Sequence, residues 1–415
     1  MTESIADLPP TALAGIRIIE VAGSTSQYCG KMFAELGADV ILVEPPGGAS
    51  TRGEPPFVAD QAGPDRSLSF AYFNSSKRGI ALDLTMPEGQ ALFRRLAVTA
   101  DLVVETEKPG TMASRGCGFA DLSALKSSLV VTSITGFGQT GPYAQYESGD
   151  LIAHATGGFM YLGGYSDSPP LCAYGNQAIH GAGMYAAVAS MIALTAAELT
   201  GEGEYIDVSM QECMVMAMET AVQFYDLEGK VRKRNADEQR YAGTGVYACR
   251  DGHVYAMFAG IGANKFWPIS LQWFVDEKIP GVARLQGKEW HSVDYVHSRE
   301  GKRIFSEVFG PWAMTRTKDY LYHEGQRRHI PIAPINTTAD ILQSKQFAHR
   351  KFFVEGENPV TGAPMRMPGA PYQLALTPWR SGGPAPRIGQ HNTALYRELG
   401  LDDKTLARLA MQGVI

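Results

Sequence analysis

"GIRIIEVAGSTSQYCGKMFAELGADVILVEPPGG", residues 15–48, decides the reading of the chain. It opens on a short β-branched run, "GIRIIEVAG". A helical stretch, "QYCGKMFAELG", follows, and then a second run, "ADVILVE", that stops at Pro45-Pro46-Gly47-Gly48. That is the signature of a βαβ unit. Outward from it the alternation continues. "RGIALDL" (78–84) reads as a strand, "TMPEGQALFRRLAVTA" as a helix with Pro87 in its first turn, and "DLVVET" (101–106) and "SLVVTSITG" (128–136) as strands. The pattern predicts an α/β fold with a parallel, Rossmann-like sheet. From about 150 to 222 the pattern turns helical, and the methionines 210, 214, 216 and 218 read as core filler. Residues 223–325 differ in character, and "IGQHNTALYRELGLDDKTLARLAMQGVI" closes the chain with amphipathic helix. We therefore expect a large Rossmann-like domain from 1–222 and 326–415, and a small α/β domain from 223–325. The basic stretch "KVRKRNADEQR" at 230–240 reads as a solvated linker face, with a phosphate contact as the alternative.

The chain has 415 residues, 45% hydrophobic and 19% charged, which is enough for a sizeable core and too apolar for disorder. A net charge of −6 without long like-charged blocks argues against nucleic acid or a membrane surface as partner. Five scattered cysteines, with no CxxC, indicate neither a zinc site nor a disulfide framework, and read as reduced thiols. The N-terminus "MTESIADLPP" lacks signal-peptide character and no run approaches 18 apolar residues, so a cytoplasmic protein is expected. The turn after the first strand reads "AGSTSQ", without GxGxxG, which speaks against a nicotinamide or flavin cofactor. No metal-ligand spacing surrounds His154 and no metal is expected. His180, in "YGNQAIHGAGMYAA" (174–187), is an imidazole among the chain's smallest residues. Alone it reads as a core or helix-start histidine.

Several phrases, in order across nearly the whole chain, resemble the class III CoA-transferase family, which includes the α-methylacyl-CoA racemases. They are "LAGIRIIEVAG", "LGADVILVEPPGG", "FNSSKRGIALDLTMPEG", "VVETEKPGTM", "ITGFGQTGPYA", "MPGAP" and "IGQHNTALYRELGLDD". The resemblance implies two protomers threaded as interlocked rings. It also implies transfer of CoA between an acyl-CoA, such as succinyl-CoA, and an organic carboxylate, such as benzylsuccinate. CoA esters would be substrates, with no tightly bound cofactor. In such a transferase an aspartate attacks the thioester to give a mixed anhydride, and the released thiolate then attacks the aspartyl carbonyl. The CoA-binding candidates the resemblance implies are Ser24, Thr25, Ser26, Leu82, Thr106, Lys108, Arg115, Gly243 and Gly245. Gly243 and Gly245, or Gly260 and Gly262, would supply oxyanion donors. Lys77 and Arg78 match the family's "KR" pair and could hold structure or phosphate.

Laid on the family's "GD" turn, "PPLCAYGNQAIHGAGMYAAV" puts His180 where the nucleophilic aspartate stands. An acyl-imidazole offers no protein carbonyl on which CoA could be held. The racemase acid/base pair is absent as well, because Gly149 stands where its histidine would be and Asp150 follows. Asp150 could orient substrate or cap a helix. Positions that carry cationic CoA contacts in relatives read Pro45, Thr85, Ser114 and Glu147. The leading expectation is the non-nucleophilic subunit of a heteromer, paired with a homologous chain that retains the aspartate. The alternatives are an independently active acyl-CoA enzyme using His180 or Asp150, and a non-catalytic CoA-binding scaffold.

Overall fold

The computed structural model describes residues 11–63, 65–234, 239–258 and 266–415. Six parallel strands make the principal sheet: β1 (Arg17–Val21), β2 (Asp39–Glu44), β3 (Arg78–Ala81), β4 (Leu102–Glu105), β5 (Val130–Thr135) and β6 (Tyr205–Ser209). Their order is β3-β2-β1-β4-β5-β6, the doubly wound order that the βαβ reading predicted. Nearly every residue of β1, β2, β4 and β5 is buried, because helices cover both faces of the sheet.

Alternation within each strand divides the core in two. Ile18, Val40, Leu102 and Val104 face α1 (Ser26–Glu35) and the long helix α5 (Gln177–Thr200). Ile19, Ile41, Val43 and Val103 face α3 (Pro87–Ala97) and the C-terminal helices. Between these lie α2 (Leu68–Phe73), α4 (Asp150–Thr156) and α6 (Met210–Met216). Of the four methionines read as filler, Met210 and Met214 are buried in the first core layer, whereas Met216 is exposed. Helix α5 approaches the sheet on alanines 182, 186 and 193, and one buried polar pair, Thr132 to Ser190 at 2.7 Å, ties it to β5. It is also, by length and composition alone, apolar enough to cross a membrane. Its outer face leaves Met184, Tyr185, Val188 and Ile192 exposed.

By its internal contacts the chain divides into two compact units. One comprises residues 1–160, 172–227 and 348–415, the other 161–171 and 228–347. The second unit holds an antiparallel sheet of β7 (Thr244–Cys249), β8 (Gly252–Met257) and β9 (Ile332–Ile335). Its helices α7 (Phe266–Asp276), α8 (Arg299–Ala313) and α9 (Lys318–Arg327) join these strands around an aromatic core of Trp267, Trp273, Phe274, Phe305 and Phe309. Two features differ from the sequence reading. The domain bounds shift: residues 326–347, assigned to the large domain, belong here because β9 is the antiparallel partner of β8, residues 161–171 belong here as well, and 223–227 fall in the first unit. Arg234, read as part of a solvated face, donates to the carbonyls of Tyr161, Tyr165 and Ser168 and so holds that loop in the second unit. Residues 235–238 of that stretch lie outside the described residues.

The chain then returns to the first unit with the hairpin β10 (Phe353–Glu357) and β11 (Pro364–Pro368), followed by α10 (Asn392–Glu398) and α11 (Asp403–Met411). The phrase "GQHN" closes the free edge of β3. The Gly79 amide donates to His391 Nδ1 at 3.0 Å, the Ala81 amide to Asn392 Oδ1 at 2.8 Å, and the Tyr396 hydroxyl to the Ala81 carbonyl at 2.7 Å. A β-carbon on Gly79 would sit 2.8 Å from Pro386, so only glycine lets this segment lie on the strand.

Candidate active site

Between β1 and β4 the strand order reverses, and the C-terminal ends of such strands form the crevice where α/β sheets take ligands. Here that crevice is a cavity of about 240 Å³. Ser24, Thr25, Thr106 and Lys108 line it together with Glu147, Gly149 and Ile179. The floor is tight: a β-carbon on Gly23 would fall 2.1 Å from Thr106 Oγ1. Lys108, more than half exposed, pairs with Glu147 at the rim. Ser26 is buried and its hydroxyl turns to Glu20 and the Val21 and Gly23 carbonyls, away from the crevice.

Leu82 and Arg115 do not line this cavity. Leu82 is a core side chain, 2% exposed, so only its backbone could serve a ligand. Arg115 pairs with Glu107 at 3.1 Å. Gly243 and Gly245 flank Thr244 in the second unit, and the Gly243 amide already donates to Gln239 Oε1 at 3.1 Å. That amide is not free for an oxyanion, and the positive φ of Gly243, 81°, gives the turn itself a need for glycine. Gly260 and Gly262 lie outside the described residues. Lys77 and Arg78 hold structure. Lys77 Nζ lies 2.6 Å from Glu20 Oε2 with both side chains fully buried, and Arg78 bridges Asp39 and Glu398.

Beside the crevice, Asp150 opens α4 and turns to the neighbouring helix. Its Oδ1 accepts from the Ala178 amide at 2.8 Å and the Ile179 amide at 3.3 Å, capping the first turn of α5, whose own Asn176 makes no side-chain cap. Asp150 thus caps a helix other than the one it begins. Its Oδ2 lies 3.5 Å from Nε2 of His154, one turn on. His154 is fully buried, and neither ring nitrogen has a hydrogen-bond partner. Cys172 comes back to the same place, so that one donor atom from each of Asp150, His154 and Cys172 lies within 4.8 Å of the others. Burial and the Asp150 charge push the Cys172 thiol above its ordinary pKa, which disfavours a thiolate nucleophile.

His180 sits in the first turn of α5, half-buried, with its ring 4.9 Å from Phe73 and 5.6 Å from Tyr28. Burial lowers its pKa, with the Asp150 charge offsetting part of the effect, so the site favours the neutral imidazole. It opens on a cavity of about 710 Å³ with an aromatic lining that includes Tyr28, Tyr72, Phe73, Phe159 and Tyr185. A second titratable group, which the sequence reading did not single out, lies at the end of β4. Burial pushes Glu105 up to about 7, although Ser133 and the Glu107 amide donate to it.

The sequence profile of CoA-transferase family III matches residues 13–392. The chain belongs to this family. As a class III CoA-transferase it is 38% identical to the succinyl-CoA:(R)-benzylsuccinate CoA-transferase subunit BbsE of Thauera aromatica, over 96% of this chain and 97% of that one. It is 28% identical to the succinyl-CoA–L-malate CoA-transferase β subunit of Chloroflexus aurantiacus, over 97% and 98% of the two chains. The crystal structure of a CaiB/BaiF family protein from Brucella suis superposes with a TM-score of 0.81 at 28% identity, covering 94% of this chain and all of that one. CoA-transferases of this family act on CoA thioesters.

Proposed function

We propose that this chain is the non-nucleophilic subunit of a hetero-oligomeric CoA-transferase that moves CoA between succinyl-CoA and an aromatic organic acid of the benzylsuccinate type. The observation that carries the reading is His180, an imidazole packed against Tyr28 and Phe73 where the family resemblance calls for a carboxylate. The covalent cycle needs a protein carbonyl. A carboxylate attacks the thioester carbon, the C–S bond breaks and CoA leaves as thiolate. The thiolate then attacks the aspartyl carbon of the anhydride and releases the donor acid, leaving CoA on the enzyme. An imidazole nitrogen can take the acyl group but has no carbonyl carbon to take CoA. The homologous partner would supply that aspartate.

Five further features support the reading. Two relatives are themselves named as subunits. Glu147 places a carboxylate beside Lys108 at the rim, which lowers the positive potential there for an anionic ligand. The aromatic lining of the 710 Å³ cavity suits the apolar arm of an aryl acid. The exposed apolar face of α5 supports burial against a second chain, in the interlocked arrangement the resemblance implies. Five free cysteines suit the reducing cytoplasm as the site of action.

The test is to purify the chain alone and together with a homologue bearing the aspartate, and to assay CoA transfer from succinyl-CoA to a panel of carboxylates. The pair is expected to turn over and the solitary chain to be silent. Comparable rates for both would sink the proposal and return catalysis to His180 or Asp150.

A further inference from the structure

We propose that Asp150, His154 and Cys172 form a binding site for one divalent transition-metal ion of the zinc class. Among the described residues this is the cluster in which histidine, cysteine and carboxylate donors converge, one atom from each lying within 4.8 Å of the others. The decisive member is His154. It is fully buried, and neither of its ring nitrogens is hydrogen-bonded, although buried imidazoles are ordinarily satisfied. Its Nε2 lies 3.5 Å from Asp150 Oδ2, too far for a good hydrogen bond and close to the spacing of two donors on one ion.

The donor chemistry selects the metal. A thiolate, an imidazole and one carboxylate oxygen suit zinc or cobalt and do not suit the oxygen-only preference of magnesium or calcium. The two anionic donors also balance a 2+ charge in a buried setting. Donors on a tetrahedral ion stand roughly 3–4 Å apart, so closing the widest gap takes about 1 Å. Cys172, half-buried and outside any helix or strand, can move that far, while α4 fixes Asp150 and His154 one turn apart. The other Asp150 oxygen stays on the α5 amides, which orients the ligating oxygen as outer partners orient metal ligands elsewhere. Three protein donors leave a fourth position open. His154 and the neighbour of Cys172, Ala173, both line the aromatic cavity, so a carboxylate or thioester oxygen entering there is the class of ligand that position would accept. The site stands or falls independently of whether the chain works alone or in a pair.

The experiment uses the full chain, stripped with chelator and titrated with Co²⁺, reading the thiolate-to-cobalt charge-transfer band in the near ultraviolet, with Zn²⁺ as competitor. One equivalent of cobalt is expected, displaced by zinc. Cys172→Ser should abolish the band, and Asp150→Asn and His154→Gln should each weaken binding by at least about tenfold. Absence of a band at saturating Co²⁺, or a band unchanged in Cys172→Ser, would overturn the assignment. Should the buried His154→Gln variant fail to fold, the half-buried Cys172→Ser still decides the matter.

Discussion

The two oxygens of Asp150 face different ways, one to the Ala178 and Ile179 amides and one to His154. Removing the side chain leaves two donors at the start of α5 without their acceptor. Asp150→Ala should therefore lower stability by about 1–2 kcal/mol in a denaturant titration. Asp150→Asn, which keeps an acceptor for those amides, should lose less than half of that. Glu105 gives a pH signature. Its folded pKa, pushed up to about 7, exceeds the unfolded carboxylate value. The stability it permits is complete below pH 4.5 and declines as pH rises to about 7, because the unfolded state ionises first. Glu105→Gln should thus be more stable than the wild type at pH 8 by about 2–4 kcal/mol, and the advantage should shrink toward pH 4.5. Equal stability of the two proteins at pH 8 would refute the assignment. His180 and Asp150 were legible as candidates from one short phrase each. Cys172 and its approach to His154 were not, because the chain passes through 161–171 of the second unit before it returns, and no local spacing records that detour.

At the scale of elements, α1 and α5 meet closely at Gly183. A β-carbon there would stand 3.2 Å from Tyr28 Cβ and 3.3 Å from the Thr25 carbonyl oxygen, both part of the approach to the crevice and the aromatic cavity. Gly183→Val should cost about 1–3 kcal/mol through overpacking. It should also weaken binding of an aryl carboxylate, as measured by calorimetry. The parallel sheet was legible because buried parallel strands are written as short apolar runs, and β1, β2, β4 and β5 all appear where those runs stand. The strand β9 shows the limit. "IAPI" has the composition of a strand, but nothing in it says which sheet it joins; antiparallel pairing with β8 decides that. The same limit applies to Lys77. A "KR" pair before a strand is compatible with phosphate or with structure, and only the fold brings Glu20 to 2.6 Å and settles it.

For the whole molecule, association is the testable quantity. If a homologous chain completes the site and covers the outer face of α5, mixing the two should raise the melting temperature in a concentration-dependent way. The gain should reach about 3 kcal/mol when the partner is at a hundredfold its Kd. Substituting Val188 and Ile192 on that face by lysine should remove the gain while leaving the melting temperature of the lone chain within about 2 °C, since both side chains are exposed there. A melting temperature indifferent to the homologue would speak against a partner.

The stitching of β3 by the far end of the chain sets an order of events during synthesis. Arg17 and Arg78 share Glu398, the Asp83 amide donates to the carbonyl of Val414, and Val414 itself is fully buried. A ribosome-bound chain that has not yet made residues 387–414 holds a principal sheet with an open edge and a core layer that lacks Leu395, Tyr396, Leu401, Leu406, Leu409 and Val414. The second unit draws on residues no later than 347 and can mature first. The large unit, although begun first, must be finished last.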